Sequence, residues 1–67
     1  MIGDEIRKER TRLGWSQEEL AAKAGIHRTY ISLLERNKKS PTLDTYRRIC
    51  KALGVSAAEM MLRLEKK

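Results

Sequence analysis

A chain of 67 residues makes one small domain of marginal stability, burying only about 60% of the surface its unfolded form exposes. The absence of Phe and the abundance of helix formers exclude a sheet protein and predict an all-α bundle. A formal charge of +6 and a single cysteine suit a polyanionic partner and a reducing cytosol rather than a disulfide scaffold. No apolar run approaches the ~20 residues of a membrane span and no signal-peptide pattern opens the chain. A cytoplasmic protein without membrane contact is expected.

Ile2–Leu13 is predicted as the first helix, with Ile2, Ile6 and Leu13 along one stripe. Arg10 falls in that stripe, where an unpaired guanidinium would be very costly. Glu35, on the inner side of the third helix, also occupies a position suited to an apolar residue. An Arg10–Glu35 ion pair is therefore expected; the alternative is that Arg10 snorkels to solvent. Gly14-Trp15 ends the helix, with Trp15 capping the core or reaching a groove.

Ser16 and Glu19 spell the S-x-x-E capping box that opens a second helix, Gln17–Ala24, whose inner face is Leu20, Ala21 and Ala24. Gly25 can adopt the left-handed backbone that a helix stop needs. His27–Arg36 then resumes, with His27 at the N-cap. Ile31, Leu34 and Glu35 lie on one side; Arg28, Thr29, Ser32, Leu33 and Arg36 lie on the other. A small residue such as Ala21 lets two steeply crossed helices approach closely. The spacing of Ala21, Gly25, Ile31 and Leu34 is that of a helix-turn-helix, which pushes its second helix out to lie in a major groove. A helical hairpin in some other small bundle is the plainer alternative.

The basic stretch Asn37-Lys38-Lys39-Ser40-Pro41 leads to a fourth helix starting at Thr42, with Leu43, Tyr46, Ile49, Cys50 and Leu53 as its stripe and Gly54 as its stop. Arg47, Arg48 and Lys51 lie on its outer side. Ser56 with Glu59 forms a second capping box, and a fifth helix spans about 56–65. Ala57, Met60 and Leu64 satisfy the core. Ala58, Met61 and Leu62 make a second apolar strip, which together with Glu65 is expected at a homodimer interface. Residues 1–67 thus read as one domain with the last helix doubling as its dimerisation element. An adaptor or antitoxin-like module that grips a foreign protein through that strip is the alternative.

The chemistry gathers on the third helix. Arg28, in its first turn, can reach the O6 and N7 of a guanine bidentately. Thr29 and Ser32 carry short, adaptable hydroxyls, and Leu33 either meets a thymine methyl or is a slightly buried core residue. Gln17, Tyr30, Arg36, Asn37, Lys38, Lys39 and Ser40 are candidates for phosphate contact around this base-reading group. Catalysis finds no support: the chain has one His, one Cys, no Gly-rich phosphate loop and no metal-ligand pair. No cofactor, metal or small-molecule effector is expected.

SQEELA at the second helix, TYISLLER in the third and SPTLDTYRRICKALGVS at the close resemble the Cro/C1-type (Xre-family) helix-turn-helix domain, over nearly the whole chain up to Met61. HRTYISLLERN is similar to a stretch of the restriction–modification controller proteins, and the short format also resembles phage Cro-like repressors. The resemblance implies a five-helix, lambda-repressor-like bundle and a homodimer on a pseudo-palindromic operator in double-stranded DNA, regulating transcription. It also implies base contacts from Arg28, Thr29 and Ser32, phosphate contacts near Gln17 and the loop after the third helix, and the Arg10–Glu35 pair. His27 and Leu33 depart from the polar or small residues that many relatives carry there.

Overall fold

The computed structural model describes residues 2–65; positions 1, 66 and 67 of the expected domain lie outside the described residues. Five helices follow in order: α1 (Ile2–Arg12), α2 (Gln17–Ala24), α3 (Arg28–Glu35), α4 (Leu43–Leu53) and α5 (Ala57–Glu65). No strand occurs among the described residues. This is the all-α bundle that the helix-forming composition predicts, with the five helices that the chain-order reading and the family resemblance imply.

The helix ends follow from capping chemistry. The Ser16 hydroxyl accepts from the Glu19 amide at 3.0 Å while the Glu19 carboxylate accepts from the Ser16 amide at 2.9 Å, so the reciprocal box is complete. Thr42 caps α4 by accepting from the Thr45 amide. The second predicted box is only half made. Ser56 accepts from the Glu59 amide, but the Glu59 carboxylate takes the Arg63 guanidinium one turn on, at 3.1 Å. Gly25 and Gly54 close α2 and α4 in the left-handed conformation, with φ of 68° and 75°. α1 ends at Arg12 rather than Leu13 and α3 at Glu35 rather than Arg36, because the left-handed Gly14 and Asn37 reverse the chain just beyond.

Ile6, Leu20, Ile31, Leu34, Ile49 and Met60 are fully buried, with Ala21, Ala24, Tyr46, Cys50, Leu53 and Val55 completing the core. Ile2, Leu13, Trp15 and Ile26 pack at its edge. Leu43 departs from the expected stripe: it is 61% exposed. As the first residue of α4, it stands where the chain's own helices no longer cover that stripe. It lines an open groove of about 420 Å³ with Ile2, Pro41, Met61 and Leu64. Cys50 is an inert filler, its thiol pKa pushed up by burial, and the Tyr46 hydroxyl, driven by burial to about 12, donates to the Ala57 carbonyl.

Charged groups hold α1 in place. Gly3 packs against the C-terminal end of α3, and its amide donates to the Asn37 side-chain oxygen at 3.1 Å. A Cβ on Gly3 would run into the Leu34 carbonyl oxygen and crowd the Asn37 oxygen. Glu9, 4% exposed, completes the 2, 6, 9, 13 stripe in place of an apolar residue. One of its oxygens meets Arg12 at 2.9 Å and the other meets Arg63 of α5 at 2.9 Å. Burial raises the Glu9 pKa, but the two guanidiniums outweigh it and leave the carboxyl below its ordinary value.

Two outcomes follow. Gly3→Ala, although Ala favours helix by up to ~1 kcal/mol, should lose about 1–2 kcal/mol net in chemical denaturation, because the obstruction is backbone. A carboxylate whose folded pKa is depressed contributes stability above its unfolded pKa and loses it as pH falls through the folded value. Thermal midpoints should therefore drop from about pH 4 downward, and Glu9→Gln should show a shallower drop over that window.

Candidate nucleic-acid interface

The geometry begins with Arg10. Its Nε donates to Glu35 Oε2 at 2.7 Å and a terminal nitrogen donates to Oε1 at 2.9 Å, a bidentate fork between α1 and α3. The remaining terminal nitrogen donates to the Trp15 carbonyl at 2.7 Å. The Glu35 carboxylate raises the Arg10 pKa further. The side chains are 15% and 2% exposed, so the pair is buried as the sequence reading expects and does not snorkel. Gln17 joins it, its amide donating to Glu35 Oε1 at 3.3 Å. The start of α2, the end of α1 and the inner side of α3 meet on one carboxylate.

α2 and α3 join through Gly25 and Ile26. The Gly25 amide donates to the carbonyls of Ala21 and Ala22, and the Ile26 amide donates to the Ala21 carbonyl at 2.9 Å. Ala21 itself is buried in the core at 4% exposure. α3 is divided lengthwise. Ile31, Leu34 and Glu35 are buried at 0%, 0% and 5% exposure. Arg28 and Thr29 are exposed, and Ser32 and Leu33 are partly covered. Leu33 lies outside the set of residues packed on the core.

His27 holds the extended N-cap backbone, but its side chain makes no capping hydrogen bond. The first-turn amides of α3 therefore receive no side-chain acceptor from the N-cap position.

The surrounding basic residues fall into two groups. Arg36, Lys38 and Lys39 are exposed beyond α3, and the Lys39 ammonium stands 5.8 Å from the Tyr30 ring centre, so two phosphate candidates are neighbours. Asn37 is exposed but has a structural task that the sequence reading missed: left-handed at φ 58°, it ends α3 and accepts from Gly3. An Asn directly after a helix is the signal for that. Ser40 lines the apolar groove beside Leu43. On α4, Arg48 pairs with Asp44 at 3.1 Å on an exposed surface.

At the other end of the chain, Ala58, Met61, Leu62 and Glu65 are all exposed. Met61 and Leu62, at 45% and 56%, join Leu43 as large exposed hydrophobic residues. No cluster of His, Cys, Asp or Glu able to hold a metal occurs among the described residues. No described helix is long and apolar enough to cross a membrane.

Comparison with known proteins agrees with this geometry. The helix-turn-helix family model matches residues 6–60. The chain is 42% identical over 57 residues to a Neisseria hypothetical transcription factor from Neisseria meningitidis, covering 85% of this chain and 54% of that protein. It therefore spans about half the length of that relative. It is 39% identical over 62 residues to the control protein C.BamHI of Bacillus amyloliquefaciens, covering 91% of this chain and 76% of the other. The crystal structure of SinR, the master regulator for biofilm formation, in complex with DNA superposes with a TM-score of 0.86 at 35% identity, covering 91% of this chain and 98% of that one.

Removing one partner of a buried ion pair strands the other charge, which costs about 3–5 kcal/mol. Arg10→Ala should lower unfolding stability by about 3 kcal/mol, toward the lower end because Arg10 keeps some solvent contact. Arg10→Ala combined with Glu35→Leu should recover part of the loss, as read by urea denaturation of the three variants.

Proposed function

This chain belongs to the helix-turn-helix family, and from that membership we propose that it regulates transcription by binding double-stranded DNA as a homodimer. The observation that carries the reading is the lengthwise division of α3: its inner side is sealed by core residues and the Arg10–Glu35 fork, while its first turn presents Arg28 and Thr29 outward. Arg28, Thr29, Ser32 and Leu33 read base edges in the major groove. Gln17, Tyr30, Arg36, Asn37, Lys38, Lys39 and Ser40 are assigned to phosphates. The uncapped amides at the start of α3 and the lysines after it favour an anionic backbone.

Homodimerisation is supported by the exposed Leu43, Met61 and Leu62 and by the groove between α4 and α5. Covering each such side chain is worth roughly 1.5–3 kcal/mol, and a two-fold axis would cover the same patch on both copies. With Ala58 and Glu65 included, α5 brings two copies of α3 about 34 Å apart, one turn of the duplex. On this reading the chain acts by binding DNA.

Selection from random duplexes should return a pseudo-palindromic sequence. Arg28→Ala should relax one base position in each half-site by about 1–3 kcal/mol. Lys38→Ala with Lys39→Ala should weaken binding to all duplexes alike and flatten the salt dependence by about two phosphate contacts per protomer. Unchanged base preference in the Arg28 variant would overturn the reader assignment. A chain that sediments as a monomer at about ten times the concentration giving half-saturation of the selected duplex would overturn the dimer and leave the apolar face to a foreign protein.

A further inference from the structure

Two consecutive residues of α1 reach two different functional helices. Arg10 forks onto Glu35 of α3, and Glu9 holds Arg63 of α5 at 2.9 Å. Each Glu9 oxygen has its own guanidinium, Arg12 from α1 itself and Arg63 from 54 residues away. Arg63 is fixed at both ends, since its other terminal nitrogen meets Glu59 at 3.1 Å.

The remaining strong attachments of α5 lie near its start. Met60 is fully buried and the Ala57 carbonyl accepts from the Tyr46 hydroxyl. Arg63 comes one turn beyond Met60 and limits the swing of the helix about that pivot. Met61 and Leu62, the proposed dimer contacts, lie between pivot and tether.

We propose that the Glu9–Arg63 ion pair is a positioning device that sets the angle between the dimer helix and the reading helix, and with it the half-site separation the dimer accepts. The inference rests on the dimer reading above. The tolerance is narrow: one base-pair rise is roughly 3.4 Å, so a displacement of the reading helices by that amount along the duplex shifts a half-site by one position. Two adjacent residues on one rigid helix, one holding α3 and the other α5, are well placed to limit such a displacement. Arg12 supplies the internal control: it donates to the same carboxylate, but within α1, and so does not cross to α5.

The test measures affinity for the selected duplex and for versions with the half-sites moved one base pair closer or farther, at a temperature where circular dichroism shows every variant folded. Arg63→Gln should reduce the preference for the selected separation by about fivefold or more, with affinity for a duplex carrying one half-site unchanged. Arg12→Gln, which removes the same charge from the same carboxylate, should keep the full preference, and Arg63→Lys should restore part of it. An Arg63→Gln dimer with wild-type spacing preference overturns the proposal while leaving the dimer reading intact. So does equal loss in the Arg12 and Arg63 variants, or an Arg63→Gln chain that falls to monomers. A wild-type chain that is monomeric on DNA overturns both.

Discussion

The Arg10–Glu35 fork is the constraint on which the rest of this small bundle depends. A core of so few residues cannot hold an eight-residue helix rigidly by apolar contact alone, and α3 has only Ile31 and Leu34 fully inside. A bidentate charged contact adds direction to that burial. It fixes the rotation of α3 about its own axis, which decides which side chains face outward. Gln17 and the Trp15 carbonyl add further hydrogen bonds, so the ions are hydrogen-bonded on several sides, as buried charges must be.

α1 therefore acts as a frame. Its first turn abuts the end of α3 through Gly3 and Asn37, its last turn holds α3 through Arg10, and Glu9 holds α5. The protein places buried carboxylates where larger domains would use hydrocarbon. The excess positive charge is left on the outer surfaces, where Arg28, Arg36, Lys38 and Lys39 are exposed. Stability and electrostatic recognition thus draw on different parts of the same charge distribution.

Much of this was legible from spacing. The Ser16–Glu19 capping box, the glycine stops, the buried Ala21 and the buried pair were readable because each is a local rule or a charge in a place that hydrocarbon should occupy. The family likeness extends over the same stretches. What escaped the reading depends on the end of an element or on a distant partner. Leu43 has the right periodicity for the core but sits in the first turn of α4, on the rim of an open groove, where the described helices leave it 61% exposed. Glu9 was overlooked although the 2, 6, 9, 13 series passes through it; its acid identity masked its position. Asn37 was read as part of a basic loop, while its left-handed backbone and its bond to Gly3 make it a joint between helices. Glu59 left its capping box because Arg63 offered a charged partner.

The central claim is that the fork turns one particular side of α3 toward the duplex. Titrating the isotopically labelled chain with its selected duplex, and following backbone amide shifts residue by residue, tests it most directly. The account predicts that the largest changes fall at Gln17, at residues 28–33 and at residues 36–39, with Arg7, Lys8 and Thr11 on the outer side of α1 unmoved. Changes concentrated on that outer side of α1, with the first turn of α3 silent, would contradict it.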